Sequence, residues 1–151
     1  DAADRMTEVL AERLDAAIAE VISGMVDETG DILEFVRPGV QNRLFQELRR
    51  GRLPPEEMLD LHGLRVAEAR RLLARFLSHA RHQRLRVIQI IHGKGYGSEQ
   101  SQPVLKQKVN QWLRQYEQVL AFCSAPRFDG GTGAVYVLLS RKDRSVERGH
   151  R

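Results

Sequence analysis

The sequence has few of the residues that disulfide-rich or membrane-spanning proteins require. Its 151 residues include one cysteine, so no internal disulfide can form. Cys123 lies in an apolar run, where we expect a core thiol in a reducing compartment. Purely apolar runs are short, the longest being 134–139, whereas a membrane-spanning helix needs about 20 such residues. Signal peptides, internal repeats and low-complexity segments are not evident. We therefore expect a cytoplasmic protein without membrane contacts.

The charge is distributed unevenly along the chain. A net charge of +4 combines −8 over residues 1–34 with +12 over residues 35–151. A segment this basic suits a polyanionic partner such as nucleic acid. Because surplus surface arginine would give the same charge, this feature proposes nucleic acid as a partner without establishing it.

Hydrophobic patterning divides the chain into four predicted segments. These are an acidic amphipathic helical extension (1–34), a basic connecting segment with a short helix (35–57), a main domain (58–141) and a flexible tail (142–151). The apolar stripe of the first helix must be covered by its own domain, a second copy or a partner. A monomer and a weak dimer therefore both remain open.

Within the main domain, strand and helix patterns alternate. Strands are predicted over 58–61, 85–91, 119–124 and 134–140, and helices over 66–84 and 103–116. The order βαβαββ predicts an α/β fold in which two helices pack on a mixed four-stranded sheet. Right-handed crossovers should make the first three strands parallel. The segments that follow them should then meet at one edge of the sheet, where open α/β sheets bind ligands.

Two clusters of chemically active residues follow the first two predicted strands. Asp60 and His62, two positions apart, project from the same face of a strand, and Gly63 lets the chain turn away. The second cluster starts at His92 and continues with a glycine-rich loop containing Gly93, Lys94, Gly95, Gly97 and Ser98. The backbone amides and the lysine of such a loop suit a phosphate. Since Lys94 is not followed by Ser or Thr, the loop is not a Walker A sequence, and ATP hydrolysis is disfavoured.

A third cluster follows the third predicted strand. Gly130, Gly131 and Gly133 either form a simple hairpin turn or line the same site. If the loop lies beside the histidines, Arg127 would add a phosphate contact and Phe128 a stacking face.

Taken together, the three clusters resemble the Smr (small MutS-related) domain. The resemblance rests on Leu59–Gly63, His92–Gly95 and Gly130–Ala134, in this order and spacing, and covers about residues 58–140. The segment 35–51 is also similar to the N-terminal flank of stand-alone bacterial Smr proteins. Arg65 departs from the family, which often has a helix-capping threonine or serine there. The resemblance implies a sheet like that of the C-terminal domain of translation initiation factor 3.

The resemblance also implies endonuclease activity, seen as DNA nicking in some members and as mRNA cleavage on stalled ribosomes in others. Cleavage of a phosphodiester needs a base, an acid and positive charge on the phosphate. We expect His62 and His92 to share the acid and base roles, and Lys94 with the loop amides to stabilise the phosphate. Asp60 would orient an imidazole or hold a divalent cation. No cofactor is firmly required, with Mg²⁺ or Mn²⁺ as the candidate ion.

Two other interpretations remain open. A non-catalytic module that docks on nucleic acid or on a ribosome would use the same clusters only to grip phosphates. A sugar-phosphate or nucleotide enzyme is less favoured, because the sequence gives no sign of a deep apolar pocket. RNA and DNA both remain open as the substrate; the 2′-hydroxyl of RNA is a built-in nucleophile that needs no metal, so we favour an RNA-capable nuclease for which a metal is optional.

The basic surplus predicts salt-dependent binding. If phosphate contacts supply the affinity, Kd for a single-stranded oligonucleotide should rise more than tenfold between about 50 and 200 mM salt, because bound counterions are released. A fluorescence-anisotropy titration over this range measures the slope. A flat response would exclude nucleic acid as the partner.

Overall fold

A computed structural model describes residues 32–94 and 104–142 of the chain. In chain order the elements are β1 (Glu34–Val36), α1 (Asn42–Arg49), β2 (Glu57–Asp60), α2 (Val66–His82), β3 (Val87–Ile91), α3 (Val104–Leu113), β4 (Val119–Ser124) and β5 (Ala134–Leu139). Two short 3-10 turns, Arg127–Asp129 and Gly131–Gly133, lie between β4 and β5. The helix predicted in the acidic extension, the loop residues Gly95, Gly97 and Ser98, and the tail from residue 143 lie outside the described residues. The four-segment division of the chain stays a prediction.

The sheet has the strand order β1-β4-β5-β3-β2. β2 and β3 pair in parallel, whereas β5 is antiparallel to both β3 and β4. β4 therefore runs in the same direction as β2 and β3, although β5 lies between β4 and β3. The predicted mixed α/β fold is confirmed, and so is the common direction of the first three predicted strands.

The expected count of four strands was wrong, because β1 adds a fifth strand to the sheet. The short helix predicted in the connecting segment is present as α1, and it also packs on the sheet. β1 pairs antiparallel with β4, with Phe35 opposite Phe122, and their rings lie 5.2 Å apart. A three-residue strand has almost no signal of its own, and its partner is distant in sequence. Only the otherwise open edge of β4 makes this segment a strand.

Apolar side chains cover both faces of the sheet. On the first face, α2 and α3 pack over a buried cluster that includes Leu61, Leu73, Leu77, Ile88, Ile90, Val109, Leu113, Phe122 and Val137. On the second face, α1 packs on β4 and β5 through Phe45 and Leu48, against Ala121, Tyr136 and Leu138. Each fully buried side chain of this size contributes about 1.5–3 kcal/mol. The alternation along β2 directs Leu59 to the first face, and Met58 and Asp60 to the exposed second face.

Arg37 ties the turn after β1 to the end of α3. Its guanidinium donates hydrogen bonds to the carbonyl oxygens of Val119 at 2.7 Å, Arg114 at 2.7 Å and Tyr116 at 3.1 Å. The same group lies over the Phe35 ring, 5.0 Å from its centroid. The bond to Arg114 satisfies a carbonyl group that the end of α3 leaves unpaired. The bonds to Tyr116 and Val119 tie Arg37 to the turn before β4 and to its first residue.

Within the described residues, no helix is long and apolar enough to cross a membrane. Cys123 is buried, as predicted for a core residue. Burial raises the pKa of its thiol to about 12, so the group stays protonated at neutral pH.

The two ends of α2 depart from the usual capping residues. The helix starts after Arg65 without a side-chain cap, as the sequence indicated. At its other end, the N–H of Leu85 donates to the carbonyl of Ala80 at 2.9 Å and that of Arg84 to the carbonyl of Arg81 at 3.1 Å. These are the two bonds of a Schellman motif, whose left-handed position normally holds glycine. Here Arg84 occupies it, with φ of 53°.

Replacing Arg84 with glycine should therefore stabilise the protein. Because glycine adopts a positive φ without a steric penalty, Arg84→Gly should raise the free energy of unfolding by roughly 0.5–1 kcal/mol. Arg75→Gly, in the exposed middle of α2, is the matched control and should lower it by about 1 kcal/mol. Urea denaturation measures both changes. A comparable loss in both variants would contradict the role of Arg84.

Candidate active site

Three chain segments meet at the edge of the sheet where β2, β3 and β4 end. The N–H of Leu61 donates to the carbonyl of Ile91 at 2.7 Å, which extends the pairing of β2 with β3. The N–H groups of His92 and Gly93 both donate to the carbonyl of Gly133, at 3.1 and 2.9 Å. The predicted convergence of the three clusters is confirmed in the described residues.

Close backbone approach brings the histidine-bearing segments together. A Cβ on Gly93 would lie 3.2 Å from the Cβ of His62, and Gly93 has φ of 85°. A Cβ on Gly133 would lie 3.0 Å from Cγ of Lys94. Glycine at position 93 therefore lets His62 lie against the backbone, and glycine at position 133 does the same for Lys94.

Asp60 and His62 form a hydrogen-bonded pair at this edge. Nδ1 of His62 lies 2.6 Å from Oδ1 of Asp60, and the backbone N–H of His62 donates to the same oxygen at 3.1 Å. An ionised carboxylate only accepts hydrogen bonds, so Nδ1 is the donor in this pair and Nε2 is the nitrogen that faces away from it. The side chains are 68% and 46% exposed for His62 and Asp60 respectively, which leaves the imidazole open to a ligand.

The protonation state of Asp60 follows from its contacts. Partial burial alone would raise its pKa, but the hydrogen bonds from the ring and backbone of His62, together with the charge of that ring, hold the pKa below its ordinary value. Asp60 is therefore ionised at neutral pH and fixes the tautomer of His62.

His92 occupies a very different environment from His62. It is 4% exposed, and its Nδ1 lies 2.7 Å from the carbonyl oxygen of Gly93. Burial lowers the pKa of His92 to about 4; the hydrogen bond to Gly93 opposes this shift, and the charge of Lys106 adds to it. The ring is therefore neutral at pH 7, with Nδ1–H donating to Gly93. Its Nε2 is buried and has no hydrogen-bond partner among the described residues.

These two environments change the roles that the sequence suggested for the histidines. A neutral, buried ring with an acceptor nitrogen is poorly suited to donate a proton, so equal acid and base roles are not favoured. His92 instead holds the backbone at Gly93, the residue that lies against His62 and precedes Lys94. This hydrogen bond indicates that His92 fixes the backbone at Gly93.

Lys106 was missed by the sequence analysis. It is the third residue of α3, is 5% exposed, and is close enough to His92 for its charge to lower the pKa of that residue. The sequence did contain a sign that Lys106 points inward. It lies three residues before Val109 and seven before Leu113, which places it on the buried face of α3. A lysine on such a face points to a functional or internally paired charge.

The remaining predicted site residues in the described chain are Lys94, Gly63 and the members of the third cluster. Lys94 is exposed beside Gly133. Gly63 turns the chain after His62 with φ of 77°. In the third cluster Arg127 is exposed, Gly130 is left-handed with φ of 109°, and Gly131 has φ of 54°. The third cluster forms the connection between β4 and β5. It also lies beside the histidine-bearing segments, because the carbonyl of Gly133 accepts hydrogen bonds from His92 and Gly93. Phosphate binding by these residues stays a prediction.

The described residues fit a resident metal ion poorly. They include no group of three or more His, Cys, Asp or Glu side chains that could hold one. Asp60 remains the candidate ligand, and both hydrogen bonds from His62 fall on its Oδ1. A cation here would need most of its ligands from substrate or water, and we derive no step through it.

The fold and this edge define a class of protein: a mixed α/β domain with an Asp–His pair beside a glycine-rich loop. A family model described as the Smr domain matches residues 59–140. The chain is 36% identical to the structure of YdaL, a stand-alone small MutS-related protein from Escherichia coli, with a TM-score of 0.65 over 76% of this chain and 86% of that one. The chain belongs to the Smr domain family, as its three clusters suggested.

Curated relatives carry two kinds of name. The ribosome rescue factor SmrB of Aliivibrio salmonicida is 37% identical over 120 residues, which cover 80% of this chain and 64% of that protein. SmrB of Yersinia pseudotuberculosis is 34% identical over 137 residues, covering 89% and 74%. The probable DNA endonuclease SmrA of Escherichia coli K12 is 36% identical over 109 residues, covering 72% and 58%. The chain thus spans 58% to 74% of the length of these relatives.

The burial of His92 predicts a loss of stability in mild acid. Because its pKa is lower in the folded state than in the unfolded chain, its contribution is fully present above about pH 6.5 and is lost as the pH falls toward 4. Between pH 7 and pH 5 the loss should be on the order of 2 kcal/mol. His92→Asn should remove this component from the pH profile of urea denaturation, with the exposed His82→Asn as control. An unchanged profile in His92→Asn would contradict the assignment.

Proposed function

We propose that this chain is an endonuclease that cleaves phosphodiester bonds in RNA or DNA, with Asp60 and His62 at its catalytic centre. The observation that carries the proposal is the exposed Asp60–His62 pair at the sheet edge. A carboxylate that fixes the tautomer of an exposed imidazole is the arrangement expected of a general base. The exposed Lys94, on the adjoining segment, supplies positive charge.

In this proposal Nε2 of His62 removes a proton from the nucleophile. For RNA the nucleophile is the neighbouring 2′-hydroxyl, which attacks phosphorus while the bond from phosphorus to the 5′-oxygen breaks. For DNA the nucleophile is a water molecule, and the bond from phosphorus to the leaving oxygen breaks in the same way. In both cases the leaving oxygen takes its proton from solvent water. Asp60 stabilises the imidazolium that forms, and Lys94 stabilises the charge that develops on the phosphate oxygens. His92 keeps Gly93 and Lys94 in place, and the described residues offer no second exposed histidine beside this pair as the acid.

The partner and substrate class follow from charge and family. The surplus of +12 over residues 35–151 favours a polyanion. Relatives in the family are named as a ribosome rescue factor and as a probable DNA endonuclease, so we propose nucleic acid as the substrate and a ribosome as a candidate docking partner. Residues beyond this chain's match in the longer relatives could contribute to such docking.

A non-catalytic binding module remains the second candidate. The burial and low pKa of His92 favour it, because they remove one of the two exposed proton-transfer groups that the sequence suggested. In that case His62 and Lys94 would only contact phosphates.

Substitution of His62 separates the two candidates. His62→Gln should lower kcat by at least a hundredfold, because it removes the base, and should leave the Kd for a single-stranded oligonucleotide nearly unchanged. His79→Gln is the matched control: Nε2 of His79 in α2 lies 2.7 Å from Oε2 of Glu57 in β2, and the two form a second exposed His–carboxylate pair. Single-turnover cleavage of labelled RNA and DNA, with and without EDTA, measures the first quantity and anisotropy the second. A loss of affinity without any cleavage in the unmodified protein would favour the binding module.

A further inference from the structure

The ring of Phe128 is exposed on the segment that joins β4 to β5. The residue is 77% exposed, on the 3-10 turn Arg127–Asp129. Exposed aromatic rings are costly to hydrate, and single ones on soluble proteins are common. What distinguishes this one is how firmly the turn beneath it is held.

Three hydrogen bonds fix the residue that follows the ring. The N–H of Asp129 donates to the carbonyl of Pro126 at 2.9 Å, and its own carbonyl accepts from Nε2 of Gln89 at 2.8 Å. The carboxylate of Asp129 accepts from the hydroxyl of Tyr136. Burial, together with Asp129, raises the pKa of Tyr136, so the hydroxyl stays a donor. Gln89 and Tyr136 are themselves buried in β3 and β5, so the turn is anchored to the sheet.

The edge of the ring rests on the backbone of Gly51. A Cβ at Gly51 would lie 2.8 Å from Cζ of Phe128 and 3.0 Å from Cγ of Pro126. Gly51 has φ of 74°, so its conformation and its lack of a side chain both serve this contact. The ring is therefore held at its edge while most of its surface faces solvent.

Basic residues adjoin the ring in the chain: Arg127 precedes Phe128, and Arg50 precedes Gly51, on which the ring rests. Both arginines are exposed, and neither makes an ion pair within the described part of the chain. Arg52 is also exposed but pairs with Glu47 at 3.3 Å. The acidic residue next to the ring, Asp129, is hydrogen-bonded by Tyr136. A planar apolar surface with two available arginines on the adjoining residues matches the chemistry of a base with its phosphates.

The ring also lies near the candidate active site along the chain. Gly133 is five positions after Phe128, so their Cα atoms lie at most about 18 Å apart. The carbonyl of Gly133 accepts the hydrogen bonds from His92 and Gly93. One rigid connection thus carries the exposed ring at one end and contacts the site loop at the other.

We propose that Phe128 is a stacking platform for an unpaired nucleobase of a single-stranded nucleic acid, with Arg127 and Arg50 holding the adjacent phosphates. This inference rests on the proposed function and specifies its substrate as a strand whose bases are accessible. Base stacking on an aromatic ring tolerates any base, so the platform would favour single strands over duplexes without selecting a sequence.

The test compares a single-stranded oligonucleotide with an abasic strand of equal length, which keeps the phosphates and lacks the bases. Both are titrated in a His62→Gln background, so that the strand is not consumed. Phe128→Ala and Phe128→Leu should weaken binding of the complete strand about five- to a hundredfold and leave binding of the abasic strand unchanged. Phe128→Trp should retain affinity, and its fluorescence should be quenched by the complete strand alone, since Trp112 is buried. Arg127→Ala should weaken binding of both strands and reduce the salt slope by about one.

Gly51→Ala gives a second test that leaves the ring in place. The added methyl group must displace Phe128, so this variant should also lose the preference for the complete strand over the abasic one. Its circular dichroism spectrum and urea midpoint show whether it is folded.

The outcomes separate this inference from the proposed function. Cleavage by the unmodified protein together with equal losses for complete and abasic strands in Phe128→Ala would overturn the stacking platform and leave the nuclease proposal standing. Base-dependent quenching without cleavage would support the platform and count against the nuclease. If neither strand binds, or if a duplex binds as tightly as the single strand, the inference fails, and Phe128 becomes a candidate contact for a protein partner.

Discussion

The double hydrogen bond on the carbonyl oxygen of Gly133 is the constraint on which the candidate site depends. It joins the end of β3 to the start of β5 and holds Gly93 against His62. Because β5 is antiparallel to β3 and β4, the connection that precedes it must return to the edge where β3 ends. Strand direction therefore brings the third glycine cluster to the histidines, although Gly133 is far from His62 in the sequence.

Burial separates two histidines that look equivalent in the sequence. His62 lies beyond the last pairing residue of β2, where its ring reaches solvent and its Nδ1–H donates a hydrogen bond to Asp60. His92 follows the last residue of β3, a strand with neighbours on both sides, and there desolvation and the charge of Lys106 keep the ring neutral. The same side chain is thus open to a ligand in one place and sealed from solvent in the other, because its surroundings differ.

The second face of the sheet is covered by α1 over β4 and β5 and is exposed at β2. α1 covers β4 and β5 with apolar side chains, and the turn that follows α1 supports the ring of Phe128 at Gly51. Beyond that turn, β2 presents Met58 and Asp60 to solvent. The basic segment before β2 therefore does more than connect, since it packs on the sheet and supports the surface beside the candidate site.

Sequence patterns determined the elements whose signals are local. Apolar periodicity predicted α2, α3 and four strands to within a few residues, and spacing placed Asp60 and His62 on one face. The three clusters, by their order and spacing, indicated the Smr family. The strand β1 depended on the free edge of β4. The neutrality of His92 depended on its burial, and the contribution of Lys106 on the inward direction of its side chain from α3. These features arise from pairing and desolvation between residues distant in the chain, and no local pattern encodes them. Only the tertiary structure could decide which histidine is exposed to a substrate.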